Sequence, residues 1–298
     1  MNLARLRVFD EVARTGTFAA AAEALSYTPS AVSQQMAKLE AEIGTALLIR
    51  GRTGVTLTVA GQTLLTRTRA ILGEVRQARS ELDALAGVRA GAVRLGSFPT
   101  ATQTVVADVL SSFAATYPGV AVKLVDDEPH HNLARLRDHD LDLAVVFGVE
   151  GRSIGLDYWG VELVPEEAVT LTPLFDDPYV VVMPERHPLA DGVVTVDALS
   201  DEVVIGSVGT PGLDELADRC RLNGFVCTDY QSVRALVAAG QGIAVIPGLA
   251  AAHPFAGTVA RPFEGPRRTV YLARAADGVA SPAAAAMADV IIAHAAAR

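Results

Sequence analysis

The residues whose types and spacing carry the most pronounced chemistry lie at 28–40, which read T-P-S-A-V-S-Q-Q-M-A-K-L-E. Ser30, Ser33, Gln34, Ala37 and Lys38 share one face of a helix at its natural period, and that face is short, polar and nearly uncharged. A solvated helix face is ordinarily richer in Glu, Lys and Arg. A slim face of hydroxyls and one amide suits close hydrogen-bonded contact with a surface. A second polar group follows Asp126, Asp127 and Glu128, where His130 and His131 stand side by side. Adjacent histidines on a regular helix do not easily reach one ion, and no further Cys or His falls at ligand spacing, so the segment reads as a polar loop and helix start and no metal is expected. Cys220 and Cys227 lack Cys-x-x-Cys spacing and read as two reduced thiols, with a redox switch as the alternative. No G-x-S-x-G, G-x-x-x-x-G-K-[ST] or H-E-x-x-H motif occurs. The expectation is a protein that is not an enzyme and needs no cofactor.

The elements that would hold the 28–40 face are legible around it. Thr28 can cap a helix and Pro29 suits its first turn. Val32, Met36, Leu39 and Ile43 then form one apolar stripe with steps of four, three and four. Upstream, Leu3, Leu6, Phe9, Val12 and Ala13 mark a first helix that Gly16 can end, and Thr17 caps a second, Ala-rich one that buries Phe18, Ala21, Ala22 and Leu25. A tight turn at Tyr27–Thr28 completes a helix-turn-helix arrangement. Downstream, runs at Leu47–Arg50 and Val55–Thr58 flank Gly51 and Gly54 and predict a hairpin with Arg50 and Arg52 beside its tip. Thr58 can cap a long helix reaching about Gly87. Leu64, Thr68, Ile71, Val75, Ala78, Leu82 and Leu85 repeat on it at alternating steps of four and three, a heptad seam that predicts helix-to-helix dimerisation.

After "VRAGAVRLGSF" the pattern becomes alternating. Strand-like runs at 120–126, 141–148, 179–184, 202–207, 225–230 and 242–247 are interleaved with helical ones at "HHNLARLRDH", 211–223 and 232–240, and 148–167 reads as loop. This is an α/β domain with a mostly buried sheet, and two lobes fit within it.

The chain has 298 residues, half of them hydrophobic, which allows two domains with sizeable cores. Its net charge of −9 is uneven. Residues 1–90 carry 11 Arg/Lys against 8 Asp/Glu, and residues 91–298 carry 14 against 26, so +3 and −12. A mildly basic first third is compatible with nucleic-acid contact even in an acidic protein. No apolar run approaches the length of a membrane span. The N-terminal "MNLARLRVFDEVARTGTF" is interrupted by five charges and lacks the core of a signal peptide, so the reading is cytoplasmic with no membrane partner.

Taken in order, "GTFAAAAEALSYTPSAVSQQMAKLEAEIGTALLIRGRTGVTLTVAG" resembles the N-terminal domain of LysR-type transcriptional regulators. The pattern comprises Gly-x-Phe, an Ala-rich second helix, Pro-Ser-Ala-Val-Ser-Gln-Gln, Leu-Glu-x-Glu-Ile-Gly, an Arg-x-Arg wing and Leu-Thr-x-Ala-Gly. Leu48 stands where the family commonly has Phe. "LDLAVVFG" and "VAAGQGIAVIP" resemble the family's effector-binding domain. The resemblance implies an α/β chain overall: a winged helix-turn-helix over 1–58, a linker and dimerisation helix over 59–90, and over 91–298 a two-lobed α/β domain of the periplasmic-binding-protein kind. Its implied partners are double-stranded DNA in a promoter region, a small-molecule effector between the lobes, and further copies of the chain, a dimer through the linker helix and a tetramer made of two dimers.

A B-DNA major groove is about 12 Å wide and admits one helix, with the helix's N-terminal residues nearest the base edges. Short Ser30 and Ser33 permit close approach, Gln34 can pair with an adenine edge, and Thr28 and Pro29 sit at the positive end of the helix dipole, facing phosphate. Lys38, Arg50 and Arg52 are candidates for backbone or minor-groove contact. The family places its DNA contacts on these same elements. Cleft ligands in α/β lobes sit at strand C-termini and helix N-termini, which selects Ser97, Thr100, Thr102, Glu128, Phe147 and Ser207 as candidate effector contacts. The hydroxyls suit an anionic or polar group, whereas Asp127 and Glu128 suit a cationic one. A solute-binding protein and a redox sensor acting through Cys220–Cys227 are the alternatives.

Overall fold

A computed structural model of the chain describes residues 1–51, 54–85, 91–151, 153–154, 164–206, 220–225, 227, 229–276 and 280–298. Two compact units result, the first built on Met1–Ala90 and the second on most of the remaining chain.

In the first unit, α1 (Leu3–Thr15), α2 (Phe18–Leu25) and α3 (Pro29–Ile43) follow one another through capped turns. Gly16 closes α1 in the left-handed region, the Thr17 hydroxyl accepts the Ala20 N–H at 3.1 Å, and the Thr28 hydroxyl accepts the Ala31 N–H at 3.2 Å. The expected stripes converge into one core of Leu6, Phe9, Val12, Ala21, Ala22, Val32, Met36 and Leu39. Ile43, at the end of its stripe, is exposed instead, because Gly44 ends α3 before the core covers it.

The wing is β1 (Leu48–Gly51) paired antiparallel with β2 (Gly54–Leu57). Three contacts fix its angle. One Glu40 carboxylate oxygen accepts both the Leu47 and Leu48 N–H groups, at 2.8 and 3.2 Å. The Val55 N–H donates to the Gly16 carbonyl at 2.8 Å, and a side chain at Gly54 would strike that carbonyl. Leu48 itself is buried in the core, so an aliphatic residue fills the family's aromatic position. Then α4 (Val59–Leu85) starts on the Thr58 hydroxyl, which accepts the Gly61 N–H at 2.9 Å, and Gly61 lies so close to the Leu47 carbonyl that no Cβ fits. The heptad seam of α4 divides. Leu64 and Ile71 pack on the unit's own core beside buried Leu65, whereas Ala78 and Leu82 are exposed, Leu82 at 66 %.

The second unit is built on one mixed sheet. β3 (Gly91–Ser97), β4 (Val120–Asp126) and β5 (Leu143–Val149) run parallel, linked by α5 (Pro99–Ala101), a π-helical turn (Thr102–Val106), α6 (Ala107–Thr116) and α7 (Pro129–Arg137). β6 (Val169–Pro184) and β11 (Thr258–Ala275) are long antiparallel partners that pass from one lobe to the other. In their first-lobe halves β11 lies between β6 and β5. Their other halves lie beside β7 (Val194–Thr195) and β10 (Ala244–Pro247), with α8 (Tyr230–Ala238) packed on the sheet and β8 (Val203–Val204) and β9 (Arg221–Leu222) forming a small separate pair. The strand order across the main sheet is β10-β6-β11-β5-β3-β4. α9 (Pro282–Ala296) returns to cover the first lobe with Ala284, Met287, Ala288 and Ile291. Each lobe thus has buried clusters on both faces of its sheet.

Two expected strands differ from this outcome, and one expected helix is largely not described. The strand at 179–184 is the second half of β6, which begins at Val169, directly after the expected loop, so the strand is far longer than its apolar run. The segment 225–230 does not end as a strand, because Asp229 caps α8 by accepting the Ser232 N–H at 2.8 Å. These hydrogen bonds from Ser232 hold the Asp229 carboxyl below its ordinary range. The expected helix at 211–223 falls largely outside the described residues, and its last part holds β9.

Glu40→Ala should destabilise the first unit by about 1–3 kcal/mol, because two N–H groups at the entry to the wing, one of them on fully buried Leu47, lose their acceptor. Urea unfolding of the full chain would read this as a lower midpoint, and Glu40→Gln, which keeps one acceptor oxygen, should lose less.

Candidate functional site

The slim face of α3 is presented as its sequence implies. Ser30, Gln34, Ala37 and Lys38 lie on the accessible side and Ser33 is half-buried, while Val32, Met36 and Leu39 anchor the opposite face. The exposed Thr28 and Ser30 hydroxyls are 3.0 Å apart at the helix start, and Pro29 occupies the first turn. The cap therefore gathers two hydroxyls at the end of the helix where first-turn N–H groups point outward. Behind this face the Arg5 guanidinium pairs with Glu42 and bonds Gln35 at 3.3 Å, which compensates a carboxylate near the far end of α3. In the wing, the exposed Arg50 guanidinium lies 4.9 Å from the ring centroid of Phe18, at the start of α2. Stacking on an aromatic face limits the rotamers of a long side chain and holds its charge in a fixed place. Arg52 lies outside the described residues.

The second unit gathers most of the candidate effector residues where its lobes meet. Ser97 ends β3 and Thr100 stands in the first turn of the following helix. Ser97 is fully buried, and its carbonyl, not its hydroxyl, organises the loop: it accepts the Asp127 N–H at 2.9 Å and the Asn132 amide at 2.9 Å. Thr102 is half-buried and donates its hydroxyl to Asp126 at 2.8 Å, joining the ends of β3 and β4. Glu128 is half-buried at the start of α7. Beside it Asp127 accepts from His131 at 2.9 Å and from Arg135 at 3.1 Å. Partial burial pushes the Asp127 carboxyl up, but the bonds from His131, the Glu128 N–H and Arg135 outweigh it and hold it below its ordinary range. Ser207 lies outside the described residues.

At the centre is a residue the sequence reading did not select. Arg268 is 1 % exposed and Asp177 is 3 % exposed, and the Arg268 Nε donates to Asp177 Oδ2 at 2.5 Å. Arg268 Nη2 donates to the Thr100 hydroxyl at 3.0 Å. The guanidinium carbon lies 4.5 Å from the Phe147 centroid and 5.2 Å from that of Phe98, and the two rings meet edge to face at 4.9 Å. The other Asp177 oxygen accepts the Leu249 N–H at 2.8 Å, so a carboxylate on the crossing strand β6 holds the turn that follows β10, whose Leu249 packs in the first lobe's core, while its partner holds the first lobe's helix start. A Cβ at Gly248 would crowd Asp177 at 2.8 Å, which explains the glycine in "IPGLA". The usable signal was the doublet pair "DD" at 176–177 and "RR" at 267–268. Only strand register shows that these face one another.

The two cysteines are unbridged and lie in different clusters, Cys220 beside the Leu199–Val245 core and Cys227 within the Val233–Ile246 core. Burial pushes the Cys220 thiol up, away from the thiolate that oxidation requires. Among the described residues no helix is long and apolar enough to cross a membrane.

Asp177→Ala should cost about 3–5 kcal/mol, since it leaves a buried guanidinium uncompensated. The paired replacement Asp177→Leu with Arg268→Met should cost much less. Thermal unfolding of both variants checks this, and equal losses would show that packing, not charge compensation, sets the stability of the hinge.

Comparison with known proteins places these features in one family. Residues 3–62 match the bacterial regulatory helix-turn-helix protein, lysR family, and residues 86–296 match the LysR substrate binding domain. The chain is 32 % identical over 260 residues to a probable hydrogen peroxide-inducible genes activator of Mycobacterium avium, covering 83 % of this chain and 78 % of that one. It is 28 % identical over 257 residues to the uncharacterized HTH-type transcriptional regulator YybE of Bacillus subtilis, covering 84 % and 83 %. The fold is similar to that of a full-length OxyR variant from Pseudomonas aeruginosa, with a TM-score of 0.73 and 24 % identity over 98 % of this chain and 94 % of that one. It is also similar to full-length CbnR complexed with its target DNA, with a TM-score of 0.63 and 20 % identity over 99 % and 100 %. Regulators of this family bind DNA as oligomers and answer to small-molecule effectors. The chain belongs to the LysR family of transcriptional regulators, with an N-terminal DNA-binding helix-turn-helix domain and a C-terminal effector-binding domain.

Proposed function

We propose that this regulator reads promoter DNA through the N-terminal half of α3 and is controlled by a small molecule held between its two C-terminal lobes. The observation that carries the reading is the exposed, slim face of α3 beside a wing arginine fixed on Phe18. Ser30, Ser33 and Gln34 meet base edges, Thr28 and Pro29 bring the helix start to phosphate, and Lys38, Arg50 and Arg52 contact the backbone. The chain works by binding rather than by catalysis, and it works in the cytoplasm. Its functional parts are 1–58 for DNA, 59–90 for dimerisation and 91–298 for the effector. The exposed Ala78 and Leu82 end of the α4 seam supports helix pairing between two copies, and a tetramer forms from two such dimers.

In the cleft, Thr100, Thr102, Glu128 and Phe147 supply contacts to the effector, with Ser207 from the second lobe, and Ser97 supports the loop through its carbonyl. An effector that engages Thr100 or Phe147 competes with contacts that Arg268 now makes, so it shifts the balance between lobe arrangements. The similarity to a peroxide-inducible activator raises a redox reading through the cysteines. The upward push on the Cys220 thiol argues against it, and Cys220→Ser should leave any response to peroxide unaltered.

A salt-titrated mobility shift with DNA from upstream of the chain's own gene, against random DNA of equal length, tests the DNA reading. Gln34→Ala should lower discrimination at one base pair by about 1–3 kcal/mol. Arg50→Ala should weaken binding to every sequence and flatten the salt dependence by about one unit of slope. An unchanged slope would remove Arg50 from the phosphate contacts. Leu82→Glu should shift the protein toward monomer in sedimentation analysis, and an unshifted dimer would place the interface elsewhere.

A further inference from the structure

The strands that join the lobes carry their charges in doublets. Arg268 lies opposite Asp177, and Thr269 lies opposite Asp176. Side chains alternate across a strand, so Asp177 and Arg268 point into the buried contact with Thr100, Phe98 and Phe147 while Asp176, Arg267 and Thr269 face the other side of the sheet. On that outer side a cavity of about 680 Å³ opens beside the crossing strands, within the range of small-molecule sites. Gly148 lines it beside Tyr271 and Ile154.

The polar rim of this cavity is unspent. Glu150 and Arg267 are brought together by the bond from the Glu150 N–H to the Arg267 carbonyl at 2.9 Å, and both side chains are exposed. Among the described residues neither side chain forms an ion pair or a hydrogen bond. Asp176 is also exposed and accepts the Thr269 hydroxyl at 2.9 Å on one oxygen. Opposite charges are thus set on one face without neutralising one another, above an apolar wall of Ile154, Leu171 and Tyr271.

We propose that this outer pocket is a second small-molecule site, separate from the cleft, for a free amino acid with an apolar side chain. Arg267 takes the α-carboxylate through its planar fork, Glu150 and Asp176 take the α-ammonium, and the side chain lies on Leu171 and Tyr271. A simple acid leaves two carboxylates of the site unmatched, and a simple amine leaves Arg267 unmatched. The ligand touches the same two strands that carry the Asp177–Arg268 pair, so its binding bears on the hinge. The inference goes beyond the cleft reading and does not need it.

Isothermal titration of the full chain with L-leucine and with L-phenylalanine tests it, with 4-methylpentanoate and 3-methylbutylamine as the deaminated and decarboxylated controls. Saturable binding of at least one amino acid is expected, with both controls at least tenfold weaker. Arg267→Ala and Glu150→Gln, both at exposed positions and checked for unchanged thermal unfolding, should each weaken it at least tenfold. Thr102→Val, in the cleft, should leave it within twofold. Absence of saturable binding by both amino acids would overturn the proposal. So would equal binding of the acid control, or binding that survives Arg267→Ala and is lost in Thr102→Val, which would assign it to the cleft.

Discussion

One buried ion pair organises the effector-binding domain. Arg268 and Asp177 are almost wholly removed from water, and such a pair is stable only when each partner's remaining donors and acceptors are met. Here Thr100 meets the guanidinium, the Leu249 N–H meets the carboxylate, and Phe98 and Phe147 place their rings against the charge. The pair sits on β6 and β11, the strands that pass between the lobes, while Thr100 starts a first-lobe helix and Leu249 lies in the turn after β10 that packs on the first lobe's core. The cleft is therefore organised by its own strands before any effector arrives. A ligand that takes over a contact of Arg268 must exchange one set of charge-assisted bonds for another, and such an exchange can select between lobe arrangements.

The DNA-binding unit solves a different problem. The face of α3 that we propose reads DNA is slim, so it cannot supply its own stability, and the stabilising contacts lie behind it. Val32, Met36 and Leu39 anchor α3 from its buried side, Thr28 satisfies its first turn, and Glu40 reaches forward to hold the wing. Gly54 and Gly61 permit two close backbone approaches that fix the angles of the hairpin and of α4. Phe18, part of the α2 stripe, also steadies the Arg50 charge.

Legibility followed the range of the interactions. The three N-terminal helices, their caps and the hairpin were readable because each depends on neighbours a few residues away: a hydroxyl at the N-cap, a glycine at the C-cap, an apolar stripe at helical period. α9 and β11 gave weaker signals. In α9 buried alanines blunt the contrast between faces, and β11 is interrupted by Pro262, Gly265 and Pro266. Those interruptions coincide with the irregular register where the strand passes between lobes. Of the candidate cleft residues, Thr100 and Phe147 do lie near element ends, but their shared partner Arg268 stands 168 residues beyond Thr100 and carries no local mark.

By itself, the sequence determined the family, the helix-turn-helix with its slim polar face, and the α/β character of the remainder, since caps, periodicity and turn residues act over a few positions of chain. Only the tertiary structure decided which charges are buried and which remain available. It set the register of β6 against β11, and that register turned two ordinary doublets into a buried pair on one face and an open, charged pocket on the other. The physical reason is alternation: side-chain direction along a strand has a period of two, so a single step in register exchanges the inside for the outside.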